Sequence, residues 1–207
     1  MCQDFIRIHV LLFVFYRYNY SKIILFAEIK DKMKYLKLKT DEINRELFSH
    51  FQRHQTVTLC WRKIDEKWCI KDDPFTDDWT EEEYNELVTC LKDTAASGGV
   101  VFGAFSDQTL KGFASVEAPL FGSNREYLDL SSIHVSEDMR GKGIGKELFQ
   151  LAKTWAKEHG AKKLYISAHS AVESQAFYHA MGCVEAQEYN PYHVQKEPYD
   201  CQLECKL

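Results

Sequence analysis

The sequence predicts an α+β or mixed α/β chain built around one sheet, and three observations carry that expectation. Strand-like and helix-like periodicities follow one another as strand, helix, helix, three strands, helix, strand, helix and two strands. Thr80-Glu81-Glu82-Glu83 forms a capping box, the Thr80 side chain set to accept from the Glu83 amide while the Glu83 carboxylate reaches back. A glycine-rich run, Arg140-Gly141-Lys142-Gly143-Ile144-Gly145, stands between a strand and a helix.

The elements follow in order. Residues 1–32 hold an apolar run from Ile8 to Tyr16, bounded by Arg7 and Arg17, which is short of the ~20 residues of a membrane span. Asp4 ahead of the run and the lack of a small-residue cleavage site argue against a secretory signal. The expectation is therefore an N-terminal extension, 1–32, of doubtful part in the function, and a functional domain over 33–207 that begins near Met33. Tyr35-Leu36-Lys37-Leu38 is its first strand. Thr40 or Asp41 then caps a helix toward His54 with an apolar stripe of Ile43, Leu47, Phe48 and Phe51. Residues 56–75 alternate imperfectly and predict a short extended or hairpin-like excursion and a loop.

The capping box opens a helix that runs through about Ala96 and stops at Gly98-Gly99. Strands are predicted at Val100–Phe105, Leu110–Leu120 and Tyr127–Val135, with turns at Asp107-Gln108 and Gly122-Ser123-Asn124. Gly145 to His159 carries a helical stripe (Leu148, Phe149, Ala152, Trp155, Ala156) closed by Gly160. A strand at Leu164–Ala168, a helix at Glu173–Met181 and strands near Cys183–Tyr189 and Tyr199–Lys206 complete the chain. In the last strand Cys201, Leu203 and Cys205 alternate with polar residues and are expected on one buried face.

A formal net charge of -5 gives no electrostatic footprint for nucleic acid, and no such partner is expected. Seven cysteines, never spaced C-x-x-C, indicate neither a disulfide framework nor a zinc site, so no metal is expected and reduced thiols point to the cytoplasm. No membrane partner is expected either.

The glycine run is suited to an anion. Glycines let the backbone approach a pyrophosphate, and the amides of the following helix turn face it. The bland alternative is a structural turn. Arg140-x-x-Gly143-x-Gly145, with Phe177-Tyr178-His179-Ala180-Met181-Gly182-Cys183 downstream, resembles the cofactor loop and the F-Y-x-x-x-G-F segment of the GNAT N-acetyltransferase superfamily. The resemblance spans roughly Ser97 to Leu207. It implies a mostly antiparallel sheet with a splayed parallel strand pair, flanked by about four helices, and acetyl-CoA as co-substrate.

Cofactor-binding residues then follow by position. Backbone groups of Ile133, His134 and Val135 pair with the pantetheine arm in the manner of an added strand. Amides from Arg140 to Lys146 (Arg140, Gly141, Lys142, Gly143, Ile144, Gly145, Lys146) hold the pyrophosphate, while the side chains of Lys142 and Lys146 meet phosphates or remain solvated. Where many relatives place Asn this chain has Ala171, leaving Ser170 and Ser174 as the hydroxyls at that end. Tyr178 matches the tyrosine proposed as general acid, the alternative being a packed core ring. Asp129 occupies the position of a carboxylate base, acting directly or through water, or is a satisfied polar group. If alternation holds, His134 faces away from Asp129; a bulge changes that.

The stretch 55–79 lines the substrate pocket of this fold. Trp61, Phe75 and Trp79 with Asp72 and Asp73 suit a cationic amine, or else belong to core and helix terminus. Transfer of acetyl to a primary amine of a small molecule is the leading expectation. A protein or peptide acceptor is the rival, and a non-catalytic acyl-CoA-binding module is the reading from another class. Fold analogy adds a homodimer paired through the final strands.

Overall fold

The computed structural model describes residues 33–207, so the expectation for 1–32 lies outside the described residues. Residues 35–207 form one compact unit. Its strands fall into two four-stranded groups, ordered β1-β4-β5-β7 and β6-β8-β10-β9, and a separate hairpin β2-β3. The ranges are β1 Met33–Lys37, β2 His54–Ile64, β3 Lys67–Asp78, β4 Val100–Ser106, β5 Thr109–Val116, β6 Tyr127–Asp129, β7 Ser132–Val135, β8 Lys163–Ala168, β9 Val184–Glu185 and β10 Cys201–Lys206. Four α-helices accompany them: α1 Glu81–Ala96, α2 Ile144–Glu158, α3 Val172–Ala180 and α4 Pro191–Lys196. The ladder that joins β6 to β8 is parallel.

The helix expected from Thr40 to His54 is reduced to a single 3-10 turn, Glu46–Phe48. Local bonds displace it: the Lys39 amide donates to the Glu42 carboxylate and the Leu47 amide to Asn44 Oδ1, so side chains compete with the helical ladder. The apolar stripe still does its work. Ile43, Phe48 and Phe51 are buried with Tyr84, Val88, Leu91 and Phe113, and Leu47 packs against them.

α1 begins as expected. Thr80 Oγ1 accepts from the Glu83 amide at 3.3 Å and the Thr80 amide donates to Glu83 Oε2 at 2.7 Å. Thr80→Ala removes one half of this reciprocal cap, and thermal unfolding is expected to show a loss of about 1 kcal/mol, roughly 2–4 °C in Tm. The excursion at 56–75 is a long antiparallel hairpin, β2-β3, turning at Asp65-Glu66 with φ of 47° and 62°. Asp107-Gln108 makes the same left-handed two-residue turn between β4 and β5, with φ of 47° and 67°. At the base of β2-β3, Val57 and Cys60 bury against Ala171, and the Trp61 amide donates to the Ser170 carbonyl at 2.8 Å.

The strand expected from Tyr127 to Val135 is two strands in two ladders. Asp129 pairs with Tyr165 of β8, whereas Ser132 to Val135 pair with β5. The Leu130 amide donates to Tyr165 O on the β8 side and the Ser136 amide to Lys111 O on the β5 side. An unbroken strand keeps residues 130 and 136 on one side, so the chain slips by one residue at Leu130-Ser131. Ser131 is pinned there, its hydroxyl 2.8 Å from both Ser115 Oγ and Glu117 Oε1.

In β10, Gln202 and Glu204 are buried along with Cys201, Leu203 and Cys205, which corrects the one-faced expectation. β10 lies between β8 and β9, and its polar side is covered by partners: Glu204 accepts from the Tyr127 hydroxyl and pairs with Lys163. No helix among the described residues is long and apolar enough to cross a membrane.

Candidate active site

α2 is capped by Gly143, which has no side chain with which to satisfy the amides of the first turn. Gly141 and Gly143 sit at φ of 72° and 84°, and a Cβ built on either meets no atom within 4 Å. The loop is thus open, and the first-turn amides at the positive end of α2 are an arrangement fitted to phosphate oxygens. At Gly145 a Cβ would instead press on Phe177 at 3.3 Å, so this glycine permits α2 and α3 to approach. Arg140 Nε donates to Val135 O at 3.2 Å and closes the loop onto β7. Lys142 turns back, its Nζ donating to Asp138 O at 2.9 Å, whereas Lys146 is exposed on the first turn of α2.

The slip at Leu130-Ser131 creates the second element. Ser136-Lys111 is a hydrogen-bonded pair, so Phe113-His134 and Ser115-Ser132 are too, and the backbone groups of His134 are engaged by β5. Those of Ile133 and Val135 point the other way, along an edge that β8 no longer meets. A chain carrying amides at strand spacing fits this edge.

The slip also resets the faces. α2 lies over the face of Gly112, where a Cβ would meet Ile144 and Leu148, and its Lys153 reaches Cys205, register partner of Leu164. Tyr165 and its partner Asp129, like Phe113 and its partner His134, take the opposite face. Asp129 and His134 therefore share a face, against the expectation from simple alternation. His134 stacks edge-on to Trp79 with centroids 4.8 Å apart, and burial, then Arg53 and Arg140, push its pKa down to about 3. It is a neutral packing residue.

Asp129 is engaged by a residue that sequence reasoning missed. Its Oδ2 lies 2.5 Å from His193 Nε2, and its Oδ1 is buried without a partner among the described residues. His193 comes from α4, whose start was legible: Asn190 caps it by accepting from the Tyr192 amide, and Pro191 takes the first position. The hydrogen bond to Asp129 raises the imidazole above its ordinary pKa, against the opposing effect of burial. On the same face Gln202 Nε2 donates to Ser167 Oγ at 3.0 Å and Ser167 Oγ to Asp200 Oδ2 at 3.1 Å. Burial pushes Asp200 up to about 6.

Tyr178 is buried on α3 between Phe149 and Phe177, with centroids 6.4 and 5.1 Å away. Its hydroxyl has no hydrogen-bond partner among the described residues. Burial first, then Cys183 and Asp200, raise its pKa far above that of free tyrosine, so the phenol stays protonated. Ser170 is buried and accepts from Arg62 Nη1 at 2.6 Å, while Ser174 on α3 is half-buried.

The residues expected to hold substrate divide. Trp61, Asp72 and Asp73 line one cleft of about 450 Å³ with Arg62, Tyr199 and Asp200. Asp73 pairs with Arg62 there, and Arg62 also lies over the Tyr199 ring at 5.1 Å. Phe75 stands apart against His169, with centroids 5.3 Å apart, and Trp79 packs on the core cluster.

Residues 61–183 match the model of the Acetyltransferase (GNAT) family. Among solved structures the chain is similar to one described as a streptothricin acetyltransferase from Bacillus anthracis str. Ames in complex with acetyl coenzyme A, at 17% identity and a TM-score of 0.64 over 84% of this chain and 98% of that one. It is similar also to a nourseothricin acetyltransferase, at 18% identity and 0.59 over 84% and 96%. An IAA acetyltransferase from Bacillus cereus ATCC 14579 gives 18% and 0.51 over 84% and 99%. At these identities the likeness speaks for the fold. Among curated proteins the chain has no match.

Proposed function

Because the chain belongs to the acetyltransferase (GNAT) family, we propose that it transfers the acetyl group of acetyl-CoA directly to a primary amine of a small cationic molecule. One observation carries the reading: the open glycine loop at the start of α2 is tied by Arg140 to Val135, on the edge of β7 that no strand among the described residues covers, so phosphate and amide recognition run continuously. In this reading the first-turn amides of α2 hold the pyrophosphate and Ile133 and Val135 hold the amide-bearing arm, which directs the thioester toward the end of β6. Tyr178 is the general acid for the departing thiolate, and the proton acceptor for the amine is built on Asp129.

Asp72 and Asp200 are the carboxylates that a small cationic acceptor would meet in the cleft beside the hairpin, whose lining also carries Arg62, Lys63 and Lys71. The co-substrate of the Bacillus anthracis neighbour agrees with the choice of acetyl donor.

The test is thiol release from acetyl-CoA by the full chain against spermidine, kanamycin, lysine and a lysine-containing pentapeptide. Acceptor-dependent release with spermidine or kanamycin well above the pentapeptide is the expected result. Preference for the pentapeptide moves the acceptor class to proteins, and absence of release with every acceptor, despite acetyl-CoA binding, favours a non-catalytic module.

A further inference from the structure

We propose that His193 is the base that deprotonates the acceptor amine and that Asp129 positions it, an assignment that rests on the transfer reading above. Asp129 ends β6 at the point where the sheet parts, on the face away from α2. His193 Nε2 meets Asp129 Oδ2 at 2.5 Å, and Nδ1 has no hydrogen-bond partner among the described residues. The carboxylate thus fixes the tautomer with the proton on Nε2 and leaves the Nδ1 lone pair outward, the relation by which a carboxylate orients a catalytic imidazole.

The ring is held as well as oriented. It stacks on Tyr165 with centroids 5.8 Å apart, and the Asn190 amide that begins α4 donates to the Tyr165 hydroxyl at 2.9 Å. Its side chain keeps 15% exposure, enough for a substrate proton to reach it. Asp129 Oδ1 is a buried acceptor without a donor, which an incoming ammonium satisfies.

The balance is complete without a further reagent. Nδ1 takes one proton from the ammonium; the freed nitrogen pair forms the C–N bond and the C–S pair leaves with sulfur. Tyr178 protonates the thiolate and recovers the proton that the new amide nitrogen sheds. The proton on His193 then passes to water.

The groups facing His193 are Asp129 on β6, Tyr165 on β8, Tyr192 and Lys196 on α4, and Asp200 before β10. Asp129 raises the imidazole above 6.5, so the base is protonated and idle at low pH and activity rises as pH passes through its pKa. Asp129→Asn removes the raising anion and is expected to move this acidic limb to lower pH while lowering kcat. His193→Gln keeps a donor for Asp129 but offers no basic nitrogen, and is expected to lose the limb and lower kcat by roughly 10²–10⁴-fold with acetyl-CoA affinity unchanged.

The experiment follows kcat against pH for the unaltered full chain and both variants on the fastest acceptor among spermidine, kanamycin, lysine and the pentapeptide. NMR titration of the His193 imidazole with and without Asp129→Asn is read alongside and needs no turnover. Loss of the limb in His193→Gln with a downward shift in Asp129→Asn supports the assignment. An unchanged limb and rate in His193→Gln overturns it alone, and no turnover by the unaltered chain overturns it together with the transfer reading.

Discussion

Tyr178→Phe is expected to lower kcat by roughly 10²–10⁴-fold while acetyl-CoA binds as before. The ring sits between Phe149 and Phe177, and phenylalanine keeps that packing, so the loss is confined to one hydroxyl. That hydroxyl carries its proton throughout the working range: burial, Cys183 and Asp200 keep it protonated beyond the range in which free tyrosine ionises. The sign follows for pH. A group whose pKa is raised remains an acid as pH climbs, so a falling alkaline limb due to Tyr178 belongs above pH 10. Steady-state kinetics paired with calorimetric acetyl-CoA binding checks both halves, and a kcat within about threefold of the unaltered chain defeats the acid role.

Gly143→Ala is expected to weaken acetyl-CoA binding by more than tenfold. Two causes must be separated, because alanine at φ of 84° is strained wherever it occurs, by roughly 1–2 kcal/mol. Gly160 supplies the control. It lies just past α2 at φ of 86°, and its Cβ too meets no atom within 4 Å. Gly160→Ala is expected to cost similar stability, a few degrees in Tm, without touching affinity. The excess loss in Gly143→Ala is then the methyl group standing where the pyrophosphate is proposed to sit. Equal binding by the two variants in isothermal titration contradicts the proposed pyrophosphate seat.

Much of this was legible in the sequence because the decisive signals are local. The capping box at Thr80, the turn at Asp107-Gln108 and the glycine run before α2 each act within a few residues, and the structure contains all three. What escaped depends on partners far along the chain. Residues 127–135 read as one strand because no Gly or Pro interrupts them; Ser131, at the break, is held by Ser115 and Glu117. Between Thr40 and His54 the apolar spacing was right and the helix wrong, since a buried stripe is compatible with turns once Glu42 and Asn44 bond the backbone. His193 escaped for a different reason. Asn190-Pro191 marks a helix start, but only the tertiary fold brings α4 to Asp129.

The one-residue slip at Leu130-Ser131 has a consequence for how this chain tolerates change. An edge of free amides is specified by register, whatever side chains flank it, so exchanges among apolar residues at Ile133 leave it intact. Adding or deleting one residue between Asp129 and Ser132 reverses which amides look outward and which face carries His134. The seat proposed for the coenzyme arm is thus permissive toward substitution and intolerant of altered length, the reverse of a pocket defined by its side chains.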